Sequence, residues 1–318
     1  MPPLLALVIP CYNEEAVLSE TARRLTDKFV ALCEQNLISP KSNIVFIDDG
    51  STDKTWAIIE KFHERNSELF CGIKLAKNAG HQNALLCGLL AVRGFCDAAI
   101  SLDADLQHDI NAIDGMIRQF NDGCHIVYGV RSDRSADTVF KKITAHGFYW
   151  FVKILGAEII ADHADYRLMS AVALDALAEY SEVNLFLRGI VPLLGYRTGI
   201  QYFQCAERFA GESKYPLRKM IKFALDGITS LSIRPIRMIT FLGMALFLAS
   251  IALVCWFVGE YYAGNTVSGW SSMIVSLWGI GGLVLLSIGI VGEYIGKIYL
   301  ETKRRPRFRV EKTLRSRQ

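Results

Sequence analysis

Through residue 131 the chain alternates short apolar runs with longer segments in which apolar residues recur every three or four positions. The runs are "LLALVIP" (4–10), "NIVFIDD" (43–49), "CGIKLA" (71–76), "DAAISLDAD" (97–105) and "HIVYGVR" (125–131). Their length and flanking turn residues predict buried strands. Between them, Glu15–Leu32, "STDKTWAIIEKFHER" (51–65), "HQNALLCGLLAVR" (81–93) and "INAIDGMIRQFNDG" (110–123) carry helical spacing. Ser51 or Thr52 is placed to cap the second of these helices, and Gly123 to end the last. Strands alternating with helices predict an α/β domain with a mostly parallel sheet covered on both faces. Residues 140–213 are less regular and are expected to supply a flap.

The pattern changes near the C-terminus. Ile239–Val258 is 20 residues without a charge, and Met273–Val291 is 19 more. A bilayer core takes ~20 apolar residues as helix. Two such runs in succession predict two transmembrane helices within residues 238–298, joined by the connector "GEYYAGNTVSGWSS". Before them, Leu217, Ile221, Ala224, Leu225 and Ile228 recur at helical spacing, with Arg218, Lys219 and Lys222 interleaved. That stretch, 214–237, suits a helix lying in the membrane interface. Gly292 and Gly296 form a G-x-x-x-G step, which lets helices approach closely within one subunit or between copies in a homo-oligomer.

Charge sharpens this picture. From Lys214 onward there are 15 Lys/Arg against 5 Asp/Glu. The whole chain is +3, so residues 1–213 carry −7. The basic residues flank the apolar runs, six in 214–237 and nine in 297–318, and the connector has none. Positive flanks stay in the cytoplasm. Both termini are therefore expected there, including a basic tail at 299–318. A basic tail also reads as nucleic-acid binding, but beside two spans anionic lipid is the better partner. The start, "MPPLLALVIPCYNEE", has no basic lead and reads as a strand rather than a signal peptide. The eight cysteines include no CxxC pair. They read as small core residues in a reducing compartment.

Candidate chemistry lies where the predicted strands end. Asp48, Asp49, Asp103, Asp105 and Arg131 all fall at carboxyl ends, where open α/β sheets bind ligands. In "SLDADLQHD", Asp103 and Asp105 are two apart, so on a strand they share one face. Like charges so placed repel unless a cation lies between them. The pair predicts a divalent metal, Mg²⁺ or Mn²⁺, held with phosphate oxygens and water. Gln107, a further two on, is either a third oxygen ligand or orients a bound water. His108 and Asp109 read as solvated loop residues.

The ordered set "VIPCYNEE", "FIDDGSTD", "NAGHQNALLCGL", "SLDADLQHD" and "YGVRSDR" resembles the nucleotide-sugar domain of family 2 glycosyltransferases, a GT-A fold. Further on, "ADYRLMS", "NLFLRGI", "ERFAGESKY" and "GEYIGKIYLETKRRPRF" resemble the polyprenyl-phosphate glycosyltransferases, including dolichol-phosphate-mannose synthases and bacterial bactoprenol glucosyltransferases. The resemblance covers nearly the whole chain. It implies a GT-A domain at 1–213 in the bacterial inner membrane's cytoplasmic face. It also implies inverting transfer of a sugar, glucose from UDP-glucose before other donors, onto undecaprenyl phosphate. The product would be a lipid-linked sugar for cell-envelope glycan modification.

The resemblance also implies residue roles. Pro10, Tyr12 and Glu14 line the base and ribose pocket. Asp49 meets the base, and Asp48 is a second contact or a structural cap. Lys77 contacts the nucleotide, and Ala104 borders the donor between the two aspartates. Arg131, Arg208 and Lys214 meet phosphates, with "ERFAGESKY" as a closing flap. Asp165 and Arg167 lie near the acceptor. A lipid phosphate is already anionic, so Asp165 either positions Arg167 or Arg188 against it or serves as a base. Three alternatives stand beside this reading. A processive polysaccharide synthase would carry Q-x-x-R-W, which is absent. Another nucleotide sugar would use the same aspartates. A non-catalytic nucleotide-sensing membrane module would not need them.

Overall fold

The computed structural model describes residues 1–132, 163–182, 186–204, 236–245 and 270–315, with single positions at 248, 252, 256 and 262. The chain divides into two units. One comprises Met1–Gly147, Ile159–Pro216 and Arg305–Gln318, and the other Phe148–Glu158 and Leu217–Arg304.

In the first unit the strands are β1 (Leu5–Cys11), β2 (Asn43–Asp48), β3 (Phe70–Leu75), β4 (Ala98–Ser101), β5 (Ile126–Arg131), β6 (His163–Ser170), β7 (Thr198–Phe203) and β8 (Val310–Leu314). They form one sheet in the order β7-β5-β6-β4-β1-β2-β3-β8. The pairs β1–β2, β1–β4, β2–β3 and β5–β7 are parallel. β6 runs antiparallel between β4 and β5, and β8 antiparallel along β3. The mostly parallel α/β sheet is thus present, with β6 and β7 drawn from the stretch that has no regular pattern.

The helices are α1 (Leu18–Glu34), α2 (Thr55–Arg65), α3 (His81–Val92), α4 (Ala112–Asn121), α5 (Ala171–Glu179) and α6 (Leu187–Leu193). Strand side chains alternate between faces, and the two cores follow that period. Leu5, Leu7, Ile9, Ile44 and Phe46 pack with α1, α2 and α4. Ala6, Val8, Val45 and Ile47 pack with α3, α5 and α6 on the other side. Each fully buried Leu or Ile contributes ~1.5–3 kcal/mol. Gly88 lets α3 lie close to the sheet, because a Cβ there would overlap the Val8 and Ile47 side chains.

The cap of α2 differs from expectation. The helix begins at Thr55, and the Thr55 N–H donates to Asp53 Oδ1 at 2.9 Å. Ser51 and Thr52 bond instead to Asn13 in the neighbouring loop, so their hydroxyls tie loops together rather than start a helix.

The C-terminal segment also differs. Residues 310–314, within the stretch read as a basic tail, are an edge strand: Leu314 pairs Gly72, Thr313 pairs Ile73 and Lys312 pairs Lys74. Lys74 meets Glu311 at 3.0 Å. Arg307 donates to the Tyr180 carbonyl at 2.7 Å, and Phe308 packs against the second core.

In the second unit, α7 (Ile236–Ala245) is short and apolar. Helix α8 (Trp270–Lys303) has 34 residues, of which Ile280–Lys303 is long and apolar enough to cross a membrane. It contains the second apolar run. Side chains such as Leu277, Leu285 and Ile288 are exposed along it, which suits an apolar surrounding. Among the described residues α8 is the one such helix. The first apolar run is described only in part, and residues 214–235 of the interfacial stretch lie outside the described residues.

Candidate active site

Three loops at the carboxyl ends of β1, β2 and β3 are laced together. The Asn13 N–H donates to Ser51 Oγ at 3.0 Å, and the Thr52 N–H donates back to Asn13 Oδ1 at 2.9 Å. The Glu14 N–H donates to Thr55 Oγ1 at 2.9 Å. Asp49 ties the third loop in: its carboxylate accepts the Ala79 N–H at 2.7 Å and the Gly80 N–H at 3.0 Å. Gly50, at φ +67°, must be glycine on two grounds, because a Cβ would also come within 2.6 Å of the Lys77–Asn78 backbone.

This lacing places the expected donor residues. Pro10 is buried in β1, Tyr12 is exposed, Glu14 is half-buried and Lys77 is exposed on the third loop. Asp49, expected to meet the base, is tied into the loops. It is buried, and both its oxygens hold backbone N–H groups of the third loop. Asp48 is also buried. Its Oδ1 accepts the Ser51 N–H at 3.1 Å, while Oδ2 has no hydrogen-bond partner among the described residues. Burial pushes both carboxyls up.

The aspartate pair sits on a turn, which corrects the shared-face argument. β4 ends at Ser101, its last pair being Ser101 with Arg167. Asp103, Ala104, Asp105 and Gln107 follow in a loop that passes through Leu106 at φ +59°. A non-glycine residue there stores on the order of 1–3 kcal/mol. The loop is held at several points. Thr21 Oγ1 donates to the Ala104 carbonyl at 2.7 Å, and the Gln107 N–H donates to Asp105 Oδ1 at 3.1 Å. His108, expected in solvent, is buried and stacks on Tyr166.

On the other side stands a buried ion cluster. Asp165, on β6, accepts Arg167 Nη2 at 2.6 Å. Arg188, on α6, forks the same carboxylate, with Nε at 3.1 Å from Oδ1 and Nη2 at 3.0 Å from Oδ2. Burial would raise the Asp165 carboxyl, but Arg188, His81 and Arg167 together hold it well below the usual range. Arg167 is 1% exposed and also reaches the Leu187 carbonyl. It therefore holds Asp165 in place, and an acceptor phosphate contact, as expected from sequence, has no open face here. Arg188 retains 32% of its side chain exposed. Arg131, at the end of β5, is exposed, while Arg208 and Lys214 lie outside the described residues.

His81 joins the two sides, and the sequence reading gave it no role. It opens α3, with Nε2 3.7 Å from Asp103 Oδ1 and 3.5 Å from Asp165 Oδ2. Burial would lower its pKa, but Asp165 and Asp103 raise it to about 9. Its place in "NAGHQNALL", directly after the loop gripped by Asp49, was the available signal.

The donor set also bears on a metal. Among the described residues no three His, Cys, Asp or Glu side chains are grouped to enclose an ion. Asp103 keeps 37% of its side chain exposed. A half-open carboxylate pair fits a cation that completes its shell with phosphate oxygens and water, rather than an all-protein cage.

Residues 6–171 match glycosyl transferase family 2. The chain belongs to this family. An uncharacterized glycosyltransferase of Bacillus subtilis (strain 168), YkoT, is 49% identical over 97% of this chain and 91% of its own length. The prophage bactoprenol glucosyl transferase homolog of Escherichia coli (strain K12) is 36% identical over 97% and 98%. The bactoprenol glucosyl transferase of Shigella phage SfV is 38% identical over 96% and 97%. In this family 2 glycosyltransferase the GT-A arrangement expected from the motifs accounts for the laced loops and for the carboxylates gathered beyond β2 and β4.

Proposed function

We propose that this glycosyltransferase moves a sugar from a nucleotide donor onto a polyprenyl phosphate, with UDP-glucose and undecaprenyl phosphate as the favoured pair. The observation that carries this is the juxtaposition across His81. The half-open Asp103 lies on one side and the Asp165–Arg188–Arg167 cluster on the other. The relatives named for bactoprenol glucosylation support the acceptor and the sugar.

Asp103 and Asp105 would hold Mg²⁺ or Mn²⁺, which supplies positive charge against the leaving diphosphate. Asp165 keeps Arg188 fixed and charged at the edge of the site, where a guanidinium suits a phosphate. The acceptor oxygen is already anionic, so it attacks the anomeric carbon as the bond to the nucleoside diphosphate breaks. No proton has to leave. A carboxylate forked by two guanidiniums is a weak base, which favours the positioning role of Asp165. One displacement inverts the anomeric centre, so an α-linked donor gives a β-linked lipid phosphate.

The pairing of β8 supports a membrane arrangement. A chain that leaves the first unit after Pro216 and rejoins it at Arg305 crosses any membrane an even number of times. This favours two spans, one of them α8, with both termini on the same side of the membrane as the donor domain, the cytoplasmic face.

The test uses purified full-length protein with undecaprenyl phosphate and, in separate reactions, UDP-glucose, UDP-N-acetylglucosamine, UDP-galactose or GDP-mannose. Mass spectrometry should find hexosyl-phospholipid and free UDP. Sugar transfer with no lipid-linked product would reject the acceptor, and a different sugar on the lipid would reassign the donor.

A further inference from the structure

His108 is a buried histidine whose two ring nitrogens both face one residue. The Asp103 N–H donates to His108 Nδ1 at 3.4 Å. That bond requires the lone pair on Nδ1 and so puts the proton on Nε2. Nε2 stands 3.7 Å from Asp103 Oδ2. The ring cannot turn away. It stacks on Tyr166 at 4.9 Å between centroids and 14° between planes, and meets the edge of Phe203 at 5.4 Å and 89°. Tyr166 and Phe203 lie edge-on to each other at 5.3 Å. The Tyr166 hydroxyl donates to the Asp109 carbonyl at 3.1 Å. One aromatic box therefore grips the loop at both ends, at Asp103 through His108 and at Asp109 through Tyr166.

Packing alone does not call for a histidine in this slot. An aromatic hydrocarbon would fill it without bringing two polar atoms out of water. What the imidazole adds to an apolar ring is those two atoms, one bonded to the Asp103 N–H and the other 3.7 Å from its carboxylate.

We propose that His108 is a positioning residue for the donor site: it sets the Asp103 backbone with one nitrogen and the Asp103 carboxylate with the other, so that the carboxylate is preset for the cation shared with the diphosphate. The proposal rests on the reading of Asp103 as a metal-holding residue. Groups that orient a ligating carboxylate typically change metal affinity about 10- to 100-fold when removed.

The test measures Mn²⁺ binding to the full-length protein in detergent with UDP present and no acceptor, by the loss of the free Mn²⁺ electron paramagnetic resonance signal. Wild type, Asp103→Asn, His108→Phe and His108→Asn are compared. His108→Phe keeps the stacked shape and removes both nitrogens, and should weaken Mn²⁺ about 10- to 100-fold with an unchanged unfolding midpoint. His108→Asn keeps an acceptor near the Nδ1 position and should recover part of the loss. If Asp103→Asn loses Mn²⁺ while both His108 variants bind it like wild type, the positioning role is refuted and the metal reading stands. If Asp103→Asn binds Mn²⁺ like wild type, the metal reading itself fails. Should His108→Phe not fold, the His108→Asn affinity decides: wild-type binding rejects the role and weakened binding supports it.

Discussion

His81 Nε2 stands 3.5 Å from Asp165 Oδ2 and 3.7 Å from Asp103 Oδ1, so a single imidazole spans the carboxylates of β6 and of the loop after β4. Held near both, it would stabilise negative charge collecting there in the transfer proposed above. His81→Ala should lower kcat roughly 10²- to 10³-fold, the loss typical of one preorganised electrostatic group. Binding of UDP, if the laced loops hold it as proposed, should change little. Steady-state kinetics beside UDP calorimetry separates the two. An unchanged kcat would remove His81 from the chemistry.

Asp103→Asn and Asp105→Asn test the aspartate loop. Each should cut turnover by at least ~10²-fold, since the cation they would hold supplies several kcal/mol of charge stabilisation. The fold should survive, because Asp103 is half-exposed and the loop is anchored through its backbone, by Thr21 at Ala104 and by His108 at Asp103. EDTA should inactivate wild type, and Mg²⁺ or Mn²⁺ should restore it. Full turnover by the double Asn variant in chelator would contradict the assignment.

Asp165 carries a stability prediction with a definite sign. Its carboxyl is held well below the ordinary range in the folded chain, by Arg188, His81 and Arg167 acting against burial. A depressed folded pKa stabilises above the unfolded pKa of about 3.9. That contribution disappears as pH falls through the lower folded value. Asp165→Asn leaves Arg167, at 1% exposure, without its countercharge, which costs ~3–5 kcal/mol. Chemical unfolding at pH 7 should show that loss, and the gap between wild type and variant should close below about pH 4. A gap that is constant with pH would mean that the ion pair is not its source.

Much of this fold is legible in the sequence, and what is not has physical reasons. β1 to β5 announce themselves because an interior strand covered on both sides is apolar on both faces and the helices between are amphipathic. The turn at Asp103 is not visible, since "DAAISLDAD" keeps strand-like alternation past Ser101, and only pairing with β6 shows where it stops. β8 is hidden for another reason. An edge strand carries charges, as "VEKTL" does, and so resembles a solvated tail. Among site residues, Asp103 and Asp105 stand out by position. His81 and His108 do not, because a histidine has no periodic signature and their partners, Asp165 and Tyr166, arrive from β6 far along the chain. Asp49 was visible, but its hold on the Ala79 and Gly80 amides was not.

The buried thiols give a direct check on the core. Burial pushes Cys87 and Cys96 up to about 12. Alkylation follows the thiolate, so both should resist iodoacetamide at pH 8 in folded protein and react once it is denatured. Rapid native labelling of Cys87, which lies on α3 against β1 and β2, would show that the second core is open.

The membrane topology can be decided from the two ends of the excursion between the halves of the first unit. β8 lies in register with β3, Thr313 opposite Ile73 and Lys312 opposite Lys74. Directly opposed residues on antiparallel strands have Cβ atoms ~4.5–5.5 Å apart. Cysteines introduced at Ile73 and Thr313 should therefore cross-link within one chain on mild oxidation, after the native cysteines have been replaced. That link would fix the C-terminus on the side of the donor domain. The connector must then lie across the membrane if residues 238–298 cross twice. A cysteine at Asn265 should label with an impermeant reagent in intact cells, whereas one at Ser51, in the laced loops, should label only after lysis. Labelling of both positions from outside would contradict the cytoplasmic reaction proposed above. Protection of both would mean that the apolar runs enter the membrane without crossing it. The cross-link alone, with Asn265 labelled and Ser51 protected, is the pattern that an even number of crossings demands.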